Sequence, residues 1–293
     1  MNIQPFLTEL LDTQGIETFS HLPNLILIVL VLLLMWIGKK AFDLLTSYSL
    51  EYQLVKADNK AISIAFVGYL TGVAVVIEGV LEGESSSILM EFIDVFVWGI
   101  IGIILLNLAG KLNDVIIFRQ FNNTDELLNN QNVAVGVAVA GSYIGCAIII
   151  RSIITGESYG WALDIGLTIL YYILAQVAFF LYSILYQIVT QYDFHKEIKD
   201  NNVAAGISMG FNLAAVGVLL AIPLRSSFSI LLFLAWFILG SAVMAFFRFI
   251  MDRIIIPLEK LDEEIHQDQN WGIAFLEGCF SIAAIITLQA IFS

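Results

Sequence analysis

The residues with most scope for chemistry in this chain sit inside apolar runs. Glu277 is the sharpest of them. It lies seven residues past Asn270, and the equivalent places past Asn59, Asn132 and Asn202 hold Phe66, Val139 and Met209. A carboxyl among apolar side chains keeps its proton or finds a partner. In a membrane span such a group marks an ion or proton site, or else a packed and partnered one. The tenth residue past each asparagine is Tyr69, Ser142, Asn212 or Phe280, and Asn107 and Gln176 add amides at similar depth. Glu277, Tyr69, Ser142, Asn212, Asn107 and Gln176 form a candidate intramembrane polar path. The plainer alternative is interhelical hydrogen bonding at about 0.6–2 kcal/mol each. Nineteen residues past their asparagines, Glu78 and Arg151 hold matching positions and form a candidate charge pair. Lys39–Asp43, Lys111–Asp114 and Arg248–Asp252 have the spacing of helical ion pairs.

Catalytic patterns do not appear. There is no HExxH, GxSxG, phosphate-binding loop or dinucleotide glycine fingerprint. Cys146 and Cys279 fall in apolar runs, and His21, His195 and His266 lie far apart, so no metal-ligand spacing arises. The reading is a non-enzyme with no metal and no cofactor.

The elements that must position these residues follow from composition. Of 293 residues, 59% are hydrophobic and 13% charged, against about 45–50% and about 25% in soluble domains. Asp+Glu number 26 against 13 Lys+Arg, which argues against nucleic acid and leaves the lipid bilayer as the surrounding partner. Eight apolar spans are expected, at 24–45, 61–81, 91–115, 133–154, 162–190, 203–222, 228–250 and 271–291. Each approaches or exceeds the about 20 residues a crossing helix needs. Eleven of the 13 basic residues lie in or beside the loops joining spans 1–2, 3–4, 5–6 and 7–8. The positive-inside rule then places those loops in the cytoplasm and both termini outside. Residues 1–23 are expected as an outer surface segment, with Ile3, Phe6, Leu7, Leu10 and Leu11 at helical spacing.

An internal repeat organises the spans. Asn59, Asn132, Asn202 and Asn270 stand 73, 70 and 68 residues apart, each at the entry to an even span. All four precede small residues at the second and fourth places: Ala61 and Ser63, Ala134 and Gly136, Ala204 and Gly206, Gly272 and Ala274. Asparagine there is a helix cap, because its side chain accepts from an early helical N–H. Four positive helix ends around a mouth attracting an anionic group is the functional alternative. Gly68 and Gly72, Gly141 and Gly145, and Gly206 and Gly210 are each four apart, the spacing that lets helix backbones approach closely in lipid. The fold expected is all-α: four parallel helical hairpins in two pseudo-two-fold related four-helix halves, 24–156 and 160–293.

The stretch Gln53-Leu54-Val55-Lys56-Ala57-Asp58-Asn59-Lys60-Ala61 resembles the first half of the YjfL-type bacterial inner-membrane family, domain of unknown function 350. Asn201-Asn202-Val203-Ala204-Ala205-Gly206-Ile207-Ser208-Met209-Gly210 resembles its second-half motif. The resemblance covers nearly the whole chain as two tandem copies, and the fourth repeat departs from it with Trp271-Gly272. It implies an inner-membrane location, no established activity, and gene neighbourhoods with phage-shock-type membrane-stress proteins and ATP-grasp ligases. Two functions are expected from these features. One is a channel or transporter for a small ion or solute. The other is a scaffold recruiting cytoplasmic membrane-stress proteins through acidic loops such as Asp262-Glu263-Glu264. A homo-oligomer is compatible with either.

Overall fold

The computed structural model describes residues 22–83, 87–156 and 158–292. The surface helix expected within residues 1–23 falls almost wholly outside them. The described residues form helices and connecting turns. In order they are α1 (Leu22–Leu45), α2 (Leu50–Val55), α3 (Lys60–Leu81), α4 (Ile88–Ile116), α5 (Asn123–Leu128), α6 (Val133–Ile154), α7 (Trp161–Val189), α8 (Phe194–Lys199), α9 (Val203–Leu224), α10 (Ile230–Ile250), α11 (Leu261–His266) and α12 (Trp271–Phe292). A π-helical turn, Met251–Ile255, extends α10. Among the described residues, seven helices are long and apolar enough to cross a membrane, namely α3, α4, α6, α7, α9, α10 with its π turn, and α12. The 24-residue α1 is a further long apolar helix.

One unit recurs four times: a long helix, a six-residue helix, and a 22-residue helix. Twenty-two residues rise about 33 Å, enough for about 30 Å of hydrocarbon. Each 22-residue helix starts on its asparagine. The side-chain oxygens of Asn59, Asn132, Asn202 and Asn270 accept from the backbone N–H of Ile62, Val135, Ala205 and Ile273 at 3.0–3.2 Å. The residue before each cap (Asp58, Gln131, Asn201, Gln269) has φ between 48° and 62°. That left-handed residue turns the chain back from the short helix, at a cost of about 1–2 kcal/mol. The cap offsets about 1 kcal/mol of it.

The 22-residue helices pack side by side in the order α3, α6, α9, α12. Glycines set the closeness. A Cβ on Gly136 would lie 2.5 Å from the Ala61 carbonyl oxygen, and one on Gly145 2.6 Å from that of Leu213. Side chains there would force the backbones apart. The longer helices flank this row: α1 and α4 against α3, α7 against α6, and α10 against α9 and α12. Their outward faces carry exposed apolar residues such as Val29, Leu163 and Leu231, as a lipid-facing surface should.

The long helices end on a polar residue that starts the next short one. Asp43 accepts from the Leu50 N–H at 2.7 Å, Gln187 from Phe194 at 3.2 Å, and Asp252 from Leu261 at 2.8 Å. Asp114 instead accepts from the Asn123 side chain at 2.5 Å. This corrects the helical ion pairs read from spacing. Lys39–Asp43, Lys111–Asp114 and Arg248–Asp252 do not pair among the described residues. Bare N–H groups of the short helices claim Asp43 and Asp252 instead, and the Asn123 side chain claims Asp114.

Candidate functional site

The densest buried polar cluster lies in the second half, where α10 and α12 run antiparallel. Arg248 is seven residues before the end of the π turn, and Glu277 seven past Asn270, so both side chains reach one depth. Glu277 is 1% exposed. It forms an ion pair with the Arg248 guanidinium and accepts from the Ser208 hydroxyl of α9. Arg248 also donates to Asp262 at 2.5 Å, so it is clamped between two carboxylates. Its guanidinium lies 5.5 Å from the Tyr186 ring centre, a cation–π arrangement. The Tyr186 hydroxyl joins Ser208 at 2.6 Å and Tyr192 at 3.1 Å. Tyr192 lies in the loop beyond α7. Burial first, then Tyr186, holds its phenol well above the ordinary pKa, against the opposing pull of Arg248. It therefore stays a neutral hydrogen-bonding group.

Asn212 continues the cluster inward. Its oxygen accepts from the Tyr182 hydroxyl at 2.8 Å and from Ser281 at 3.0 Å, and its amide donates to the Ser208 carbonyl at 2.9 Å. A cavity of about 30 Å³ touches Tyr182, Tyr186, Asn212, Ser241 and Arg248. That is room for about one water. A buried guanidinium held by two carboxylates can exchange partners, and the hydroxyls and amide around it can carry a proton or coordinate a small ion.

The first half is built differently at the equivalent place. Gly110 stands where the repeat has Arg248, and Tyr143 where it has Ser281. The Tyr143 hydroxyl fills the space a Cβ on Gly110 would take. Tyr69 donates to the Gly38 carbonyl at 3.1 Å and accepts from Asn107 at 2.7 Å. A cavity of about 200 Å³ opens beside Tyr48, Asn107, Lys111, Asp114 and Tyr143.

The residues of the sequence-derived path thus fall into separate groups. Glu277 and Asn212 share one, through Ser208. Tyr69 and Asn107 share another. Ser142 accepts from Asn113 at 2.8 Å, and Gln176 contacts the Cys146 sulfur at 3.3 Å. Glu78 and Arg151 meet near the far ends of α3 and α6: Arg151 donates to Glu78 at 3.1 Å through one nitrogen and more closely through another, and to Glu82 at 2.6 Å. The asparagine caps do more than cap. Their amides also donate to a side chain of their own short helix, Gln53, Glu126, Glu197 or Glu264, at 2.8–3.2 Å. Sequence reasoning missed Arg248, Ser208, Tyr182, Tyr186 and Asp262 as site residues. The signal for Arg248 was its equal distance from the helix end, matching Glu277. Among the described residues no group of three or more His, Cys, Asp or Glu gathers as for a metal ion.

Apolar length, a tightly packed helix row and charge paired out of water together define a polytopic α-helical membrane protein with an internal repeat. The chain belongs to the family described as Domain of Unknown Function (DUF350), whose model matches residues 17–154 and again 160–292. It is also similar to the UPF0719 transmembrane protein of Aquifex aeolicus (strain VF5), at 24% identity over 266 residues, covering 87% of this chain and 96% of that relative. No solved structure matches it.

Proposed function

We propose that the chain is an eight-span protein of the bacterial inner membrane, α1 being the eighth span, that transports a small ion or solute. Its four hairpins lie parallel, with both termini outside and the capped helix ends facing the cytoplasm. The observation that carries this reading is the Asp262–Arg248–Glu277 triad, buried in a spanning bundle and joined through Ser208 to Asn212 and Ser281. A well-packed apolar trio is often as stable as a buried ion pair, so stability gives weak reason to keep one. In this reading the triad is a closed gate. Glu277 taking up a proton, or a bound cation replacing Arg248 on it, leaves Arg248 to Asp262 and opens Ser208 and Asn212 to water. The closed pair and the small cavity favour a transporter that cycles over a standing channel.

The test is flux from proteoliposomes loaded with potassium, chloride, protons or a polyamine. A selective flux lowered at least tenfold by Glu277→Gln, and also reduced by Asn212→Ala, is expected. Folded protein that releases none of them faster than empty liposomes overturns the proposal. The scaffold reading draws less support. Of its acidic loop, Asp262 is spent on Arg248, Glu263 pairs with Lys260 and Glu264 accepts from Asn270.

A further inference from the structure

The central row obeys one contact rule. Counted from the capping asparagines, the ninth residue of one central helix meets the eighth of the next. Gly68 lies against Ala140, Gly141 against Gly210, and Phe211 against Gly278. Nearer the caps, the second residue meets the fourth of the next helix, Ala61 with Gly136 and Ala134 with Gly206. The cap amides step along the row in the same direction. Asn59 donates to the Leu127 carbonyl at 2.8 Å, Asn132 to Ile198 at 2.9 Å, and Asn202 to Ile265 at 2.8 Å. Each reaches the short helix of the following repeat.

Both ends of the row present half of this contact. On α12 the second, ninth and thirteenth residues are Gly272, Cys279 and Ala283, all small and all exposed. The same places on α3 hold Ala61, Gly68 and Gly72, buried beneath α6. Asn270 keeps its bond to Glu264 and, among the described residues, has no following short helix to reach. On α3 the eighth residue is Val67, 62% exposed. The carbonyl equivalent to Leu127 and Ile265 belongs to Leu54. One end therefore carries small side chains and a spare amide hydrogen, and the other carries a projecting side chain and a carbonyl. Small residues facing lipid forgo the dispersion contacts of larger ones, and close approach of a second helix restores them.

We propose that a second copy of this chain continues the row. Its α3 packs on α12 of the first in the register of the internal contacts, Val67 facing Cys279 and the Asn270 amide on the Leu54 carbonyl. The two surfaces differ, so the association is head-to-tail and closes as a ring or grows as a line. It does not depend on the transport reading.

Cys279 makes the register testable. The full chain carrying Val67→Cys is oxidised with copper phenanthroline in native membranes and run without reductant. Neighbours in this register come within disulfide reach, so covalent multimers are expected. They are expected to vanish when Cys279→Ser is added. Cys146, buried in α6, is a silent background thiol. Absence of multimers from Val67→Cys in folded, membrane-inserted protein overturns the proposal. So do multimers formed equally by the wild-type chain, which would report symmetric α12–α12 pairing. Independently, Gly272→Leu, on an open face, is expected to lower the native mass from multimer to monomer without lowering the yield of folded chain. An unchanged multimer overturns the register.

Discussion

At the scale of residues, the Glu277–Arg248 pair is costly to break and cheap to replace. Removing one partner leaves a buried charge uncompensated, worth about 3–5 kcal/mol. Glu277→Ala and Arg248→Ala are each expected to lose that much in denaturant titrations in micelles. The triple change Glu277→Leu, Arg248→Met and Asp262→Asn, which leaves none of the three charges unpaired, is expected to recover most of it and still abolish flux. A triple variant as weak as the singles would mean the triad holds the fold by more than charge. His195, in the short α8 outside the spans, gives a second test. Its ring nitrogen is 2.8 Å from the Ile117 carbonyl, and burial, ahead of the opposing pull of that bond and of Asp193, holds its pKa below the ordinary value. A depressed histidine pKa means the fold prefers the neutral ring. That contribution is fully present above the ordinary pKa and is lost as pH falls through the depressed one. Melting temperature is therefore expected to drop as pH falls below the ordinary histidine value of about 6.5, and His195→Gln to flatten that limb. A drop unchanged by the substitution would assign it to other groups.

At the scale of elements, the caps were legible and their second role was not. Asparagine before a small-residue helix announces a cap by residue type and position. Nothing local announces that its amide will reach the Leu127, Ile198 or Ile265 carbonyl more than 60 residues on. The six-residue helices were invisible for a related reason, since six residues hold under two turns and show no periodicity. Arg248 was misread because Asp252, four residues away, offered a local explanation. The true partner Glu277 sits on the neighbouring antiparallel helix. Energetics should follow the same division. Asn132→Ala and Asn202→Ala each remove a cap of about 1 kcal/mol and strand a buried carbonyl, another about 1–3 kcal/mol. In a dispersed monomer Asn270→Ala removes the cap and the bond to Glu264, which its counterparts also lose to their own short helices, but strands no carbonyl of a following repeat. Denaturant titration of the monomer should rank Asn132 and Asn202 clearly above Asn270. Equal losses would show that the cross-repeat bonds contribute nothing.

At the scale of the molecule, duplication and folding unit do not coincide. The two family units divide between residues 154 and 160. The most extensive helix packing nevertheless crosses that division, between α6 and α9. Gly141 packs on Gly210 and Gly145 on Leu213, where added side chains would meet backbone. Polar bonds cross it too: Asn132 to Ile198, the Ala134 N–H to Asn201 at 3.2 Å, and Tyr172 to the Leu105 carbonyl at 3.0 Å. The halves are therefore stages of one row, and each alone exposes a glycine face and unpaired amides to lipid. Cutting the chain after Gly156 should leave two pieces that need each other. Co-expressed, they are expected to co-purify with a melting temperature near that of the intact protein, because the cut lies in a loop. Expressed singly, each is expected to be degraded or to aggregate. Gly141→Leu should abolish co-purification while leaving the first piece's own α3–α6 contact intact, since Gly141 faces α9. Stable, monodisperse halves expressed singly would instead restore two independent domains and make the α6–α9 contact incidental to the fold.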